Sequence, residues 1–203
     1  MPESFEVRWF MPAPLPSALR EWSEDSDAEV EDRDDNYFVP SPQVGIKVRG
    51  GEKIELKQLL EERLWSDSQM AGTAQRWAKW TLPLATPTPD EIRSAAEWQL
   101  IRKTRWTQKY EVFNDDQVVR VQRDHRAQEG CKLEIVEIKY GSDLSRDAWS
   151  YGLESFGTPS LVERNFLKVA SAISKKFPEG FRGSVGNSVS YPMWLLRRMQ
   201  GHS

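Results

Sequence analysis

The sequence predicts an α+β protein built on an antiparallel, eight-stranded β-barrel, a tunnel with helices packed outside. Two observations carry this expectation. Segments in which apolar and charged residues alternate recur along the chain and are joined by short polar or glycine turns, the pattern of antiparallel strands. The charged face also repeats from strand to strand: Glu6 and Arg8, Lys47 and Arg49, Lys53, Glu55 and Lys57, Lys103 and Arg105, Arg120, Glu134, Glu154.

A chain of 203 residues can bury a sizeable core and is read as a single domain over 1–203. Net charge of −3 and a pI near 5.6 argue against a protein whose main partner is nucleic acid or an anionic membrane. Mean hydropathy is −0.66, yet nine tryptophans and eight phenylalanines supply large surfaces to bury, which argues against disorder throughout. The single cysteine, Cys131, forbids an internal disulfide. With no signal-peptide pattern and no apolar run near the roughly 20 residues that span a bilayer, the expected setting is cytoplasmic, with no membrane partner.

Ser4 to Met11 opens as a strand with Phe5, Val7 and Trp9 opposite Ser4, Glu6 and Arg8. Pro12, Pro14 and Pro16 break it, and Ser17 to Trp22 reads as a short helix. Ser23 to Asp35 holds eight carboxylates and one arginine, so like-charge repulsion predicts a mobile acidic loop over 23–35. Val44 to Leu60 reads as a hairpin whose loop is Gly50 to Glu52, which pairs Arg49 with Lys53 and Lys47 with Glu55. Leu60 to Trp65 is expected as a helical turn and Ala74 to Leu82 as a strand.

Thr88 to Glu91 carries a threonine cap, a proline and a capping-box glutamate, predicting a short helix that ends near Glu97. Trp98 to Val112 and Gln117 to Arg123 form a second basic hairpin around Asn114 to Asp116, followed by strands at Cys131 to Lys139 and Trp149 to Phe156. The clearest helix spans about Pro159 to Lys176, where Leu161, Val162, Phe166, Val169, Ala170 and Ile173 recur at helical spacing. Ser160 with Glu163 is an alternative capping box to Thr158. Tyr191 to Leu196 is expected as a docking turn or short helix within the C-terminal helical region, 159–203.

If the apolar strand faces are covered by helices, the charged faces meet in a water-filled interior, where cations in excess attract a small polyanion. Carboxylates beside them suit a hard divalent ion, since Mg²⁺ takes oxygen ligands and bridges to phosphates. Order and character along the chain resemble the CYTH superfamily of triphosphate tunnel enzymes, which includes thiamine triphosphatase, tripolyphosphatase and class IV adenylate cyclase. The matching pieces are Glu6-Val7-Arg8 before Phe10 and Leu15-Pro16, then Tyr37-Phe38, Gly45 to Arg49 before Leu56-Lys57, Lys103 to Arg105, and the late Glu134 and Glu154.

The resemblance implies an eight-stranded tunnel that binds, and with Mg²⁺ or Mn²⁺ hydrolyses, a triphosphate: inorganic tripolyphosphate, a nucleotide or thiamine triphosphate. It assigns anion binding to Arg8, Lys47, Arg49, Lys57, Lys103, Arg105 and Arg120, and metal binding to Glu6, Glu134 and Glu154; no catalytic residue is assigned. The chain departs from the family pattern where Ser4 replaces the first carboxylate of E-x-E-x-K and Arg8 replaces its lysine. Arginine keeps the charge but not the geometry. The late strand carries Glu134 and Glu137, on opposite faces, instead of two glutamates two residues apart.

Taken singly, each Lys/Glu strand reads as the solvated face of a one-sided sheet. Repetition over several strands favours the tunnel. A non-enzymatic β-barrel binding or adaptor protein is the alternative function. His125, His202 and Cys131 sit in no partnering motif, and no phosphate-binding glycine loop, zinc cysteine pair or G-x-S-x-G element is present. Oligomeric state is not legible.

Overall fold

The computed structural model describes residues 1–24, 28–49, 51–84, 95, 97–122, 124–141, 143–178 and 183–200. The described residues form nine strands: β1 (Glu3–Pro12), β2 (Glu29–Ser41), β3 (Val44–Arg49), β4 (Lys53–Ser66), β5 (Ala71–Pro83), β6 (Trp98–Val112), β7 (Val118–Val121), β8 (Gly130–Tyr140) and β9 (Arg146–Phe156). The helices are α1 (Ser17–Ser23), α2 (Val162–Ser174) and α3 (Tyr191–Met199), with a 3₁₀ turn at Val185–Asn187. The sheet order is β2-β3-β4-β5-β1-β9-β8-β6-β7, every pairing is antiparallel, and β2 also pairs with β6. Eight strands therefore close into the expected barrel, and β7 extends β6 beyond the closure.

Strand pleating divides the apolar residues into two cores. On the outer face, Phe5, Val7 and Trp9 of β1, Leu133 and Ile135 of β8, and Tyr151 and Leu153 of β9 pack under α1 and α2. Val162, Phe166, Val169, Ala170 and Ile173 supply the buried stripe of α2, and the Phe166 ring meets Phe5 edge-on at 5.1 Å. The second core lies on the inward face: Phe10, Tyr37, Ile101, Val136, Ile138, Tyr140 and Ala148 gather around Trp194 and Leu195 of α3. Trp194 stacks on Phe10 at 4.6 Å, so α3 seals one end of the barrel from within, while α1 and α2 cover it outside. Ser190 caps α3 by accepting from the Met193 amide at 3.2 Å.

Several local expectations change. Residues 29–35 are not a mobile loop but the first half of β2, paired residue for residue with β6 from Glu29↔Thr107 to Asp35↔Ile101. The repulsion expected of this acidic run is offset by cations: Asp34 accepts from Arg102 at 2.9 Å and Glu31 from Arg105 at 2.5 Å. Leu60 to Trp65 is strand, not a helical turn; the register shifts between Leu59 and Glu61, so Leu60 is taken up in a β-bulge. The α2 N-cap is Leu161, with no side-chain cap; Glu163 instead pairs with Arg63 and Arg76. The helix expected from Thr88 falls largely outside the described residues. The hairpin register holds as read, Arg49↔Lys53 and Lys47↔Glu55, with Gly51 at a φ of 76° in the turn.

Candidate functional site: a cationic cup inside the barrel

The inward face beyond the α3 plug is charged. It lines a cavity of about 110 Å³, room for roughly eight waters. Side chains alternate along each strand, so the walls contribute residues an even number of positions apart: Glu6 and Arg8 from β1, Arg33 and Tyr37 from β2, Lys47 and Arg49 from β3, Glu55 and Lys57 from β4. The other walls add Gln75, Trp77 and Lys79 from β5, Lys103 and Arg105 from β6, Lys132 and Glu134 from β8, and Glu154 from β9. Ser190, the N-cap of α3, and Tyr191 and Pro192 of its first turn form the floor. Exposure rises away from the floor, from 5% for the Lys103 side chain to 30% for Arg49.

Nine lysines and arginines and four glutamates line this cavity, in a chain whose net charge is −3. Three clusters set its electrostatics. Near the floor, fully buried Asp35 lies 2.9 Å from Arg33, 3.1 Å from Lys103 and 3.6 Å from Lys47. Burial would raise its carboxyl, but Lys103, Lys47 and Arg33 outweigh that and hold it well below the usual carboxylate range. Lys103 also donates to the Tyr37 phenol at 2.6 Å, and its ammonium lies 4.2 Å from the centre of the Tyr191 ring. Burial lowers that ammonium's pKa despite Tyr37 and Asp35.

On the β1/β8 wall, Glu134 receives Arg8 at 2.7 Å on one oxygen and Arg105 at 2.8 Å on the other. Burial alone would raise the Glu134 carboxyl, but Arg105 and Arg8 keep it well below its ordinary value. At the third cluster, Lys57 bridges Glu6 at 2.6 Å and Glu154 at 3.3 Å. Glu55 nearby pairs with Arg49 at 2.6 Å and Lys47 at 3.0 Å.

Of the residues expected at the site, Arg8, Lys47, Arg49, Lys57, Lys103 and Arg105 converge on the cavity together with Glu6, Glu134 and Glu154. Arg120 does not; it sits on β7, opposite Tyr110 and outside the barrel closure. Sequence reasoning missed Arg33 and Asp35, because the acidic run hid a strand whose odd-numbered residues, through Tyr37, share one face. It also missed Lys132, two residues before Glu134, and Tyr191 in the floor.

The three glutamates do not fit a divalent ion as they stand. Mg²⁺ requires about six oxygens at roughly 2.1 Å. Both oxygens of Glu134 face guanidinium groups, and one oxygen each of Glu6 and Glu154 faces the Lys57 ammonium. Among the described residues no three His, Cys, Asp or Glu side chains come together as a metal-holding group. His125 pairs with Glu111 at 2.7 Å on an exposed edge, and Cys131 is buried, its thiol raised by that burial. No described helix is long and apolar enough to cross a membrane.

No protein-family model and no curated protein matches the chain. Among solved structures, the chain is similar to the Mimivirus capping-enzyme triphosphatase, at 9% identity and a TM-score of 0.50 over 88% of this chain and 90% of that one. It also matches a conserved hypothetical protein from Pyrococcus furiosus at 13% identity and a TM-score of 0.47, over 93% of this chain and 98% of that one. At 9% identity the first likeness speaks to the fold alone, a closed antiparallel barrel.

Proposed function

We propose that this chain binds a linear triphosphate-type anion, inorganic tripolyphosphate or the triphosphate of a nucleotide or of thiamine, in the cup between the barrel walls. One observation carries the reading: nine cationic side chains from seven strands face one small interior against four lining glutamates and the buried Asp35, in a protein of net negative charge. The groups suit phosphate. Arginine forks match phosphate oxygens two at a time, and lysines serve as point charges. Arg49, Lys47, Arg105 and Lys132 lie along the walls, and a chain of phosphates can contact several of them at once.

The resemblance to triphosphate tunnel enzymes supports the same ligand class, as does the fold shared with the Mimivirus triphosphatase. Binding is the core of the reading. Hydrolysis would need an activated water, and the three glutamates placed to serve it are engaged by Arg8, Arg105, Lys57 and Lys79. Phosphate release with Mg²⁺ or Mn²⁺, read as inorganic phosphate from tripolyphosphate, should therefore be no faster than that of Glu154→Gln.

Isothermal titration with tripolyphosphate tests the binding. Saturable one-to-one binding by the wild type, weakened at least tenfold by Lys47→Ala combined with Arg105→Ala, supports the reading. No binding by wild type, or the same affinity in the double variant, overturns it.

A further inference from the structure

We infer that Lys57 is this protein's own built-in cation between Glu6 and Glu154, so that the polyanion is held without a divalent ion. The inference rests on the polyanion reading above, and half of it is testable without any polyanion. Glu6 on β1 and Glu154 on β9 are direct cross-strand partners, so their carboxylates project side by side into the cup. Two adjacent carboxylates repel each other unless a cation lies between them. Lys57 supplies it from β4, across the intervening strand β5: its ammonium donates to Glu6 Oε1 at 2.6 Å and Glu154 Oε1 at 3.3 Å.

The surroundings complete the substitution. Lys79 stands 3.6 Å from the same Glu154 oxygen, so the two carboxylates meet two ammonium groups and keep no excess negative charge to draw a divalent ion. The Ser4 hydroxyl donates to Glu6 Oε1 at 2.8 Å, occupying with a neutral donor the face position where a further carboxylate would have added charge. The third glutamate, Glu134, spends one oxygen on Arg8 and the other on Arg105. A phosphate chain entering this cup meets fixed ammonium and guanidinium groups where a metal would otherwise neutralise it.

Two measurements on the full chain test this. In the first, Mn²⁺ alone is added to wild type, Lys57→Met and Lys57→Gln, and free Mn²⁺ is read by electron paramagnetic resonance. Removing the Lys57 ammonium leaves two carboxylates against the single ammonium of Lys79, a net negative pair, so each folded variant should bind Mn²⁺ at least tenfold more tightly than wild type. A wild-type Mn²⁺ site that Glu154→Gln abolishes overturns the inference, as does the absence of any gain in a folded Lys57 variant. If neither variant folds, the comparison of wild type with Glu154→Gln decides.

In the second, tripolyphosphate is titrated into wild type in EDTA and again in excess Mg²⁺. Binding in EDTA, with apparent affinity weakened by Mg²⁺ as the ion sequesters free ligand, supports the inference. Binding that appears only with Mg²⁺ overturns it and leaves the polyanion reading intact. Binding in neither buffer, with Mn²⁺ results as expected, overturns the polyanion reading and leaves Lys57 as the cation that excludes the metal.

Discussion

Arg8 and Glu134 form an ion pair at 2.7 Å across a strand that lies between them. Their shared cross-strand neighbour is Gly152 on β9, which has no side chain to stand in the way. A Cβ at Gly152 would lie 2.6 Å from the Val7 carbonyl oxygen and 3.2 Å from Arg8 Cβ, so backbone would have to shift. Gly152→Ala should therefore destabilise the fold by about 1–3 kcal/mol, the usual range for overpacking. Urea denaturation checks it; an unchanged midpoint would mean that β1 and β9 part without cost.

The deepest charge cluster should matter more for stability than the surface pairs on the same strand. Asp35 is fully buried among Arg33, Lys47 and Lys103, whereas its neighbour Asp34 pairs with Arg102 at the exposed outer face. Removing one partner of a buried ionic set leaves uncompensated charge and costs about 3–5 kcal/mol. Asp35→Asn should lose stability on that scale, and Asp34→Asn should leave the denaturation midpoint close to wild type. Equal effects of the two substitutions would contradict the inward placement of Asp35.

Acid should weaken the barrel in a defined direction. Burial would raise the Glu55 carboxyl, but Lys47, Lys79 and Arg49 outweigh it and draw its pKa down to about 2 from 4.5. The unfolded carboxyl thus takes up its proton near pH 4.5 and the folded one only near pH 2. The stabilisation is complete above about pH 4.5 and is lost as pH falls toward 2. Asp35, Glu134 and Glu154 are depressed too and act in the same sense. Midpoints measured from about pH 6 down to pH 3 should fall for wild type, and less steeply for Glu55→Gln. A flat wild-type profile would contradict the interior pairing.

Position in the cup, not charge alone, should decide which arginines bind. Arg49 lines the wall near the mouth, and Arg120 lies on β7 outside it. Arg49→Ala should weaken tripolyphosphate binding about tenfold, or roughly 1.4 kcal/mol, and Arg120→Ala should leave the Kd within twofold. A loss at Arg120 as large as at Arg49 would move the site to the outer surface.

Much of this architecture was legible in the sequence wherever a strand announced itself by strict alternation. Lys47 with Arg49, and Lys103 with Arg105, read as one face of a strand and point into one interior. The β2 strand was obscured because its outer residues, Asp32 and Asp34, are as acidic as its inner ones. Local repulsion suggested a loop, whereas distant cations, Arg102, Lys103 and Arg105 on β6 and Lys47 on β3, offset it in the strand. The plug was hidden for a different reason. Tyr191 and Trp194 belong to a short helix far along the chain, and nothing local tells that the helix enters the barrel end against Phe10, Tyr37 and Tyr140. The state of the glutamates depended likewise on distant cations, since Lys57 reaches Glu154 across 97 positions of sequence.

The most direct test of the central claim is a crystal structure grown with inorganic tripolyphosphate in EDTA. The anion should lie inside the barrel, its phosphate oxygens within hydrogen-bond reach of Lys47, Arg49 and Arg105, with the Lys57 ammonium still between Glu6 and Glu154. Tripolyphosphate bound only on the outer surface, or a cup left without it at saturating concentration, would contradict the account.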